Sequence, residues 1–360
     1  MSPDPPLPAD WEDVTPAWMT VVLADRFPGI EVVAAELVWR SDGSNRRARF
    51  ALTCAGREGP AMVFVKAEGA HREVHARNGN LFNEAKLLRG CTPLPIEHAQ
   101  PLAVLIDEPR LDWLIILEDV TGRGADPRDA TRPVTPAQAT SGVRGLAGLH
   151  RTHWGLSPTP GDALDWLQTW APTEGFQLGL RRCVPLGLER ACSAGPFDVA
   201  DWSTEQVVDT WVRYVSLLDR DPVTLLHGDA HIGNTYVLPG DAMGFLDWQV
   251  ARRGGWSQDV GYFVQGALVP ADRRANEAAL LDAYRSELDR SLGREEAWLW
   301  YRASAVYGLA IWLSTLGTDG YQSREVSLTL ARRYATTVHE LDSLDAIGAL
   351  ERGPGPPFPR

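Results

Sequence analysis

The rhythm of apolar and polar positions changes along the chain. In the first third, apolar residues come in short runs bounded by turn residues, a pattern that predicts strands. Glu31 to Trp39 and Arg47 to Cys54 flank the polar turn Ser41-Asp42-Gly43-Ser44-Asn45, a hairpin-like signal. Met62-Val-Phe-Val-Lys66, Leu102 to Ile106 and Trp113 to Leu117 are three more apolar strands. Asn80 to Arg89 is helix-like, with Leu81, Ala85 and Leu88 on one face and Glu84 near its middle. After Asp119 the period lengthens. Thr135-Pro136-Ala137-Gln138 is a capping box with proline at the first helical position, opening a helix through His150. Ser203-Thr204-Glu205-Gln206 is a second box, followed by Val208, Trp211, Val212 and Val215 at helical spacing. Ala275 to Leu292, Glu295 to Leu316 and Glu325 to Leu341 also predict helices.

The pattern predicts an α+β chain of two lobes. Residues 1–118 form a strand-rich lobe whose first ten residues read as a flexible extension. Residues 119–352 form a helix-rich lobe, and 353–360 a flexible Pro-Gly tail. The joint Leu114-Ile-Ile-Leu-Glu-Asp-Val120 leaves an apolar strand for Thr121-Gly122-Arg123-Gly124 and reads as a hinge.

Composition narrows the function classes. The chain has 360 residues, 44% of them hydrophobic, enough for a sizeable core. A net charge of −12 argues against a nucleic-acid partner, which needs a basic surface, and reads first as plain solubility. No run of 18 apolar residues is present, so no membrane span is expected. The acidic, proline-rich start lacks the basic and apolar stretches of a secretory signal. Cys54, Cys91, Cys183 and Cys192 are scattered and read as reduced thiols, which fits a cytoplasmic location. Only Lys66 and Lys86 among the 35 basic residues are lysines, so a lysine ending an apolar strand stands out.

The densest polar cluster in an apolar setting runs from His227 to Asp247. One strand delivers a loop, a second leaves it, and a third, Gly244-Phe-Leu, ends in Asp247-Trp-Gln249. Asp229, Asn234 and Asp247 thus fall at neighbouring loop ends. Two carboxylates and an amide oxygen suit a hard cation such as Mg²⁺. Phosphoryl transfer needs such a set: metal to neutralise the phosphates, a carboxylate for the attacking hydroxyl's proton, and a lysine on the phosphates. Lys66 and Glu84 offer a Lys–Glu pair, and the turn Gly43-Ser44-Asn45 offers backbone N–H groups to cover phosphates.

His227-Gly-Asp229-Ala-His-Ile-Gly-Asn234, followed by Asp247-Trp248-Gln249, resembles the catalytic signature of the aminoglycoside phosphotransferase superfamily. The Leu117-Glu-Asp-Val120 joint and the Asp-Trp-Gln triplet resemble its ecdysteroid-kinase-like branch. The resemblance implies a two-lobe, protein-kinase-like fold and an ATP- or GTP-dependent kinase acting on a hydroxyl group of a small molecule. It implies Asp229 as catalytic base and Mg²⁺ on Asn234 and Asp247. It places Lys66 on the nucleotide phosphates with Glu84 as its partner, and the backbone from Glu118 to Val120 on the adenine. His227 would orient the loop and Asp259 would brace it. Gly228 stands where protein kinases place arginine, and Trp-Gln where they place Phe-Gly, which turns the reading away from a protein substrate.

Each residue has a plainer reading. Lys66 alone is a strand-end lysine reaching for water. Glu84 alone is a helix surface charge, and Asp229 alone favours a turn. Two other functions stay open: a kinase-like nucleotide- or ligand-binding protein without catalysis, and a metal hydrolase built on His227-x-Asp229-x-His231. His231 is either a spectator or part of the acceptor side. Arg252 and Arg253 are expected either to touch phosphate or, the preferred reading, to brace Asp259. The acceptor and the oligomeric state have no motif.

Overall fold

The computed structural model describes residues 5–43, 45–56, 59–90, 92–220 and 222–353. Ser44 of the candidate phosphate turn, Cys91, residues 1–4 and the tail from 354 lie outside the described residues. The chain divides into two compact units. One comprises Met1–Thr92, His98–Ala125 and Asp247–Val250; the other comprises Pro93–Glu97, Asp126–Leu246 and Ala251–Arg360. The first unit therefore runs to Ala125 rather than 118, and it takes Asp247–Val250 from far along the chain.

The first unit holds α1 (Pro16–Leu23), β1 (Ile30–Asp42), β2 (Asn45–Gly56), β3 (Met62–Glu68), α2 (Arg72–Arg77), α3 (Asn83–Arg89), β4 (Pro101–Asp107) and β5 (Asp112–Glu118). Its five strands form an antiparallel sheet in the order β1-β2-β3-β5-β4. Successive side chains of a strand point to opposite faces. Val63 and Val65 of β3 join Phe50, Leu114 and Ile116 in a core closed by Trp11 and by Met19 and Leu23 of α1. The same alternation turns Lys66 to the other face. The pattern of the sequence missed α1, which is one short helix of two turns capped by Thr15 on the Trp18 N–H. Residues 5–10, expected to be a loose extension, are tied down. The Trp18 indole donates to the Pro6 carbonyl at 2.9 Å, Arg46 donates to the Ala9 carbonyl at 2.6 Å, and Leu7 packs on the core.

The second unit holds β6 (Asp126–Pro127), α4 (Pro136–Thr152), α5 (Glu174–Ser193), α6 (Thr204–Val215), β7 (Val223–Leu226), β8 (Thr235–Val237), β9 (Met243–Phe245), β10 (Arg252–Gly255), α7 (Ser257–Ala267), α8 (Pro270–Leu288), α9 (Arg294–Leu316), α10 (Arg324–Glu340) and α11 (Ser343–Arg352). Both capping boxes close in both directions, Thr135 with Gln138 and Ser203 with Gln206. α8 starts at Pro270, before the expected Ala275, and stops at Asp289, whose φ of 51° is left-handed. α9 packs against α5, α6, α7, α10 and α11 and forms the axis of the unit. Two small antiparallel ladders, β6-β8-β9 and β7-β10, carry the polar loops. Among the described residues, no helix is long and apolar enough to cross a membrane.

Candidate active site

In the first unit, three charged residues converge. Lys66 Nζ donates to Glu84 Oε2 at 2.5 Å and to Asp247 Oδ1 at 2.8 Å. The Lys66 and Glu84 side chains are 4% and 3% exposed, whereas that of Asp247 is 37% exposed. The ammonium and its helix partner are thus sealed, and the third group opens to solvent. Burial alone would push the Lys66 pKa down. The charges of Asp247 and Glu84 outweigh that penalty and hold it above the usual lysine value. Asp247 sits at φ 66°, a left-handed conformation that aspartate tolerates better than most residues. Such a conformation persists where the surroundings enforce it.

The three residues of the Asp247-Trp248-Gln249 triplet reach different elements of this unit. Asp247 meets Lys66 of β3. The Trp248 N–H donates to Glu84 of α3 at 3.3 Å, and its indole meets His98 edge-on. Gln249 Oε1 accepts from Asn45 Nδ2 at the start of β2 at 2.6 Å, and Gln249 Nε2 lies 3.2 Å from His75 Nδ1 of α2. His75 Nδ1 in turn lies 3.1 Å from Glu68 Oε1, and Glu68 Oε2 accepts from the Trp113 indole at 2.9 Å. One Nδ1 serves either Gln249 or Glu68 at a time. The triplet was legible in the sequence and its partners were not, because they lie up to 204 positions apart.

The remaining first-unit candidates have structural partners. The Asn45 side chain is committed to Gln249 and is 2% exposed, and the Gly43 N–H donates to the Asn45 carbonyl at 3.1 Å. Glu118 ends β5, with its N–H on the Gln100 carbonyl and its carboxylate taking the Gln100 N–H and the Arg123 guanidinium. Asp119 caps the 3-10 turn Val120–Arg123 through the Thr121 N–H. Val120 is the first residue of that turn, and the opening N–H groups of a helix have no partner inside it.

In the second unit, the loop from His227 to Asn234 is held by its backbone. Asp259, fully buried, accepts the His227 N–H at 2.6 Å and the Gly228 N–H at 2.9 Å. Gly228 has φ 83°, so a side chain there would be strained. Its carbonyl accepts from Gln258 Nε2 at 3.0 Å and from the Tyr307 hydroxyl at 3.5 Å. The His227 ring is buried, with Nε2 at 3.0 Å from the Leu246 carbonyl and Nδ1 accepting the Asp229 N–H at 3.3 Å. Nε2 therefore carries the proton and the ring is neutral. Both ring nitrogens serve the loop. Among the described residues, no group of three or more His, Cys, Asp or Glu side chains is placed to hold a metal ion.

Asn234 Nδ2 donates to the Asp229 carbonyl and to Asp229 Oδ2, both at 3.0 Å. The Asp229 side chain stays 30% exposed. His231 caps the turn Ile232–Asn234 through the Gly233 N–H, and its Nε2 lies 3.8 Å from Asp229 Oδ2. A Cβ on Gly233 would meet that ring at 2.6 Å, so His231 keeps its seat because residue 233 is glycine. The ring meets Trp312 edge-on at 5.1 Å, and Tyr262 lies 6.0 Å away. These aromatic neighbours were invisible in the sequence, where tryptophans at helical spacing look like ordinary core. The contacts found for Arg252 and Arg253 run to another segment rather than to Asp259. Arg252 donates to Gln168 at 2.5 Å and lies over the Trp170 ring, and Arg253 donates to the Leu167 carbonyl. Both guanidinium groups meet the 167–170 segment, whereas Asp259 Oδ2 lies 3.3 Å from His150 Nε2.

Comparison with solved structures places the fold. Spectinomycin phosphotransferase in complex with ADP and spectinomycin is similar at TM-score 0.54 and 15% identity, covering 90% of this chain and 98% of that one. A choline kinase from Cryptosporidium parvum Iowa II is similar at TM-score 0.52 and 10% identity, covering 92% of this chain and 98% of that one. At these identities the likeness shows the fold, an α+β kinase-like fold with an antiparallel sheet and a helix-rich unit. No curated protein matches the chain by sequence. The model of the phosphotransferase enzyme family, APH, matches residues 40–302. That span is more than half of the chain, and with the His227–Asn234 loop and the Asp247 triplet inside it, the chain belongs to the phosphotransferase enzyme family.

Proposed function

We propose that the chain is an ATP- or GTP-dependent kinase that phosphorylates a hydroxyl group of a small molecule. The observation that carries this reading is the trio Lys66, Glu84 and Asp247: a sealed ammonium fixed between a helix carboxylate and a half-open one. Burying the Lys66–Glu84 pair gains little stability by itself, since well-packed apolar residues do as well or better. A site that must meet anionic phosphates gives the arrangement a purpose. In this reading Lys66 takes a phosphate oxygen and Glu84 keeps the ammonium extended toward it. The spectinomycin enzyme, a protein of the same fold, is described with ADP, which supports a nucleotide as donor.

Asn234 and Asp247 fit Mg²⁺ by chemistry. Both offer hard oxygens, and because Asn234 turns its amide nitrogen to Asp229, its oxygen is the end left to ligate. Mg²⁺, when bound, supplies neutralisation of phosphate charge. Asp229 is the base. It is the half-open carboxylate of a loop otherwise pinned, and Asn234 fixes one of its oxygens. The acceptor hydroxyl gives its proton to Asp229 as its oxygen bonds to the γ-phosphorus, and the bond to the β-phosphate oxygen breaks. The adenine is assigned to the backbone from Glu118 to Val120, and the Gly43-Ser44-Asn45 turn to the phosphates. The first unit is thus the nucleotide lobe and the second the catalytic and acceptor lobe. Neither nucleic acid nor a membrane is a partner in this reading, and the enzyme acts in the cytoplasm.

The test is a screen of metabolite extracts with ATP or GTP and Mg²⁺, read by mass spectrometry. An acceptor gaining one phosphoryl group in step with nucleoside diphosphate release is the expected result. Nucleotide binding with no phosphorylated product across a broad acceptor panel would instead establish a binding protein without catalysis.

A further inference from the structure

Behind the His227–Asn234 loop lies a layer of buried polar groups that the proposed chemistry does not use. Asp259 carries the N–H groups of His227 and Gly228, one on each carboxylate oxygen. Its Oδ2 also lies 3.3 Å from Nε2 of His150, on the last turn of α4. Both residues are fully buried. Because both Asp259 oxygens act as acceptors, the hydrogen between the two groups belongs to the imidazole, and Nε2 donates. On the other side of the ring, His150 Nδ1 lies 2.8 Å from the Tyr284 hydroxyl of α8. Burial and the Asp259 charge push the pKa of that hydroxyl up, so it keeps its proton. The Tyr284 ring is itself stacked on Trp256 at 5.0 Å. The imidazole is thus fixed from both sides. A backbone contact points the same way. The His150 carbonyl accepts from the Thr224 hydroxyl at 2.9 Å, and Thr224 belongs to β7, the strand that delivers the loop. One residue therefore grips both the strand that enters the loop and the carboxylate that holds it. Among the described residues, it is also the one basic side chain against the sealed Asp259.

We propose that His150 is a positioning residue for the base Asp229. Its Nε2–H stops the Asp259 carboxylate from turning, that carboxylate fixes the peptide between His227 and Gly228, and Asp229 follows as the next residue. This rests on the phosphotransferase reading of the loop. His150 touches no reactant, so nucleotide binding does not depend on it. Turnover does, because Asp229 must meet the acceptor hydroxyl within hydrogen-bond reach, and a misplacement of about 1 Å can cost about 10²-fold in rate.

The experiment compares the full chain with its His150→Leu, His150→Gln and Tyr284→Phe variants by two readouts. Hydrogen–deuterium exchange, read by mass spectrometry without nucleotide, follows the segment from Leu226 to Ala230. Transfer of label from γ-labelled ATP, with Mg²⁺, to the metabolite extract gives kcat and the KM for ATP. In His150→Leu the segment should exchange about tenfold faster while α9 exchanges as in the parent. Its kcat should fall about tenfold, with the KM for ATP within about twofold of the parent's. His150→Gln returns an N–H donor to the Nε2 position and should recover most of both losses. Tyr284→Phe keeps the ring on Trp256 and removes the hydroxyl at Nδ1, so kcat should fall about threefold. That variant keeps the test sound if His150→Leu folds poorly. Unchanged exchange of the segment, faster exchange throughout the second unit, an unchanged kcat, or a glutamine variant no better than the leucine one would each overturn the proposal. A parent that transfers no label from ATP or GTP overturns the phosphotransferase reading and the catalytic role with it. Exchange is measured without nucleotide, so the two failures are told apart.

Discussion

The two polar clusters of this protein are built on opposite plans. In the first unit the buried side chains are the candidate ligand-binding groups themselves: Lys66 and Glu84 are sealed together and only Asp247 opens outward. In the second unit the candidate base Asp229 is the half-open member, and the sealed residue, Asp259, is one that meets no reactant in the proposed chemistry. One plan fixes a charge by pairing it. The other fixes a backbone and lets the charge ride on it. The difference follows from the chemistry each cluster serves. A phosphate ligand needs a cation at one fixed point, whereas a base must meet a proton delivered by an incoming acceptor.

The largest effect should come from the half-open carboxylate. Asp229→Asn keeps the shape and the hydrogen bond to Asn234 but removes the proton acceptor. Turnover should fall about 10³-fold, or about 4 kcal/mol in barrier. Nucleotide affinity and melting temperature should stay near the parent's, because the loop backbone is anchored through Asp259 and the side chain at 229 stays partly in solvent. Full turnover in this variant would end the base assignment.

The pairing plan makes the opposite forecast, in stability. Lys66→Met strands Glu84 in a sealed site and should cost about 3–5 kcal/mol in urea unfolding. Asp247 is spared, since water reaches it. The double variant Lys66→Met with Glu84→Leu replaces the pair by apolar groups of similar size and should recover most of that loss without recovering phosphate affinity. If the double variant stays as unstable as the single, the trio is a structural element rather than a site. The backbone plan should show the reverse pattern at Asp259. Asp259→Asn leaves one acceptor oxygen for two N–H groups and sets an amide donor against the other. About 3 kcal/mol of stability should go, roughly 6–12 °C in melting temperature, and turnover should fall with it because His227 and Gly228 lose their anchor.

How much of this was readable in the sequence divides along the same line. The loop, the triplet, Lys66 and Glu84 announced themselves by residue type in an unusual setting, and the sheet and the capped helices by period and cap. Helices without a polar face did not. α7 has all eleven residues buried, so it has no amphipathic stripe to read, and α5 carries Pro185 in its interior. Arg252 and Arg253 were misread because sequence nearness to Asp259 says nothing of direction: their guanidinium groups meet Gln168 and the Leu167 carbonyl. Gln249 and Asn45 met only after the sheet and the triplet loop were folded together. Local pattern reaches elements and loops; partners recruited across 79 or 204 positions need the fold.

The smallest effect separates the two donors on the Gly228 carbonyl. Gln258 Nε2 stands at 3.0 Å and the Tyr307 hydroxyl at 3.5 Å, the outer limit for such a bond. Tyr307→Phe keeps the ring, which packs edge-on against Tyr262 and Trp170, and removes the hydroxyl with its long bond and its contact with Gln258. It should cost about 0.5 kcal/mol or less and leave turnover within about twofold. Gln258→Leu removes the short bond from the carbonyl of a buried residue and should cost about 1–2 kcal/mol. If the order is reversed in paired urea titrations, the hydroxyl is the true support and the loop is held from α9 rather than from α7. That result would redraw the backbone plan, because Gln258 neighbours Asp259 on one helix while Tyr307 belongs to another. The expected order instead makes the first turn of α7 a single clamp. Asp259 takes two N–H groups and Gln258 gives one to a carbonyl, so three backbone polar groups at His227 and Gly228 are held by two adjacent side chains.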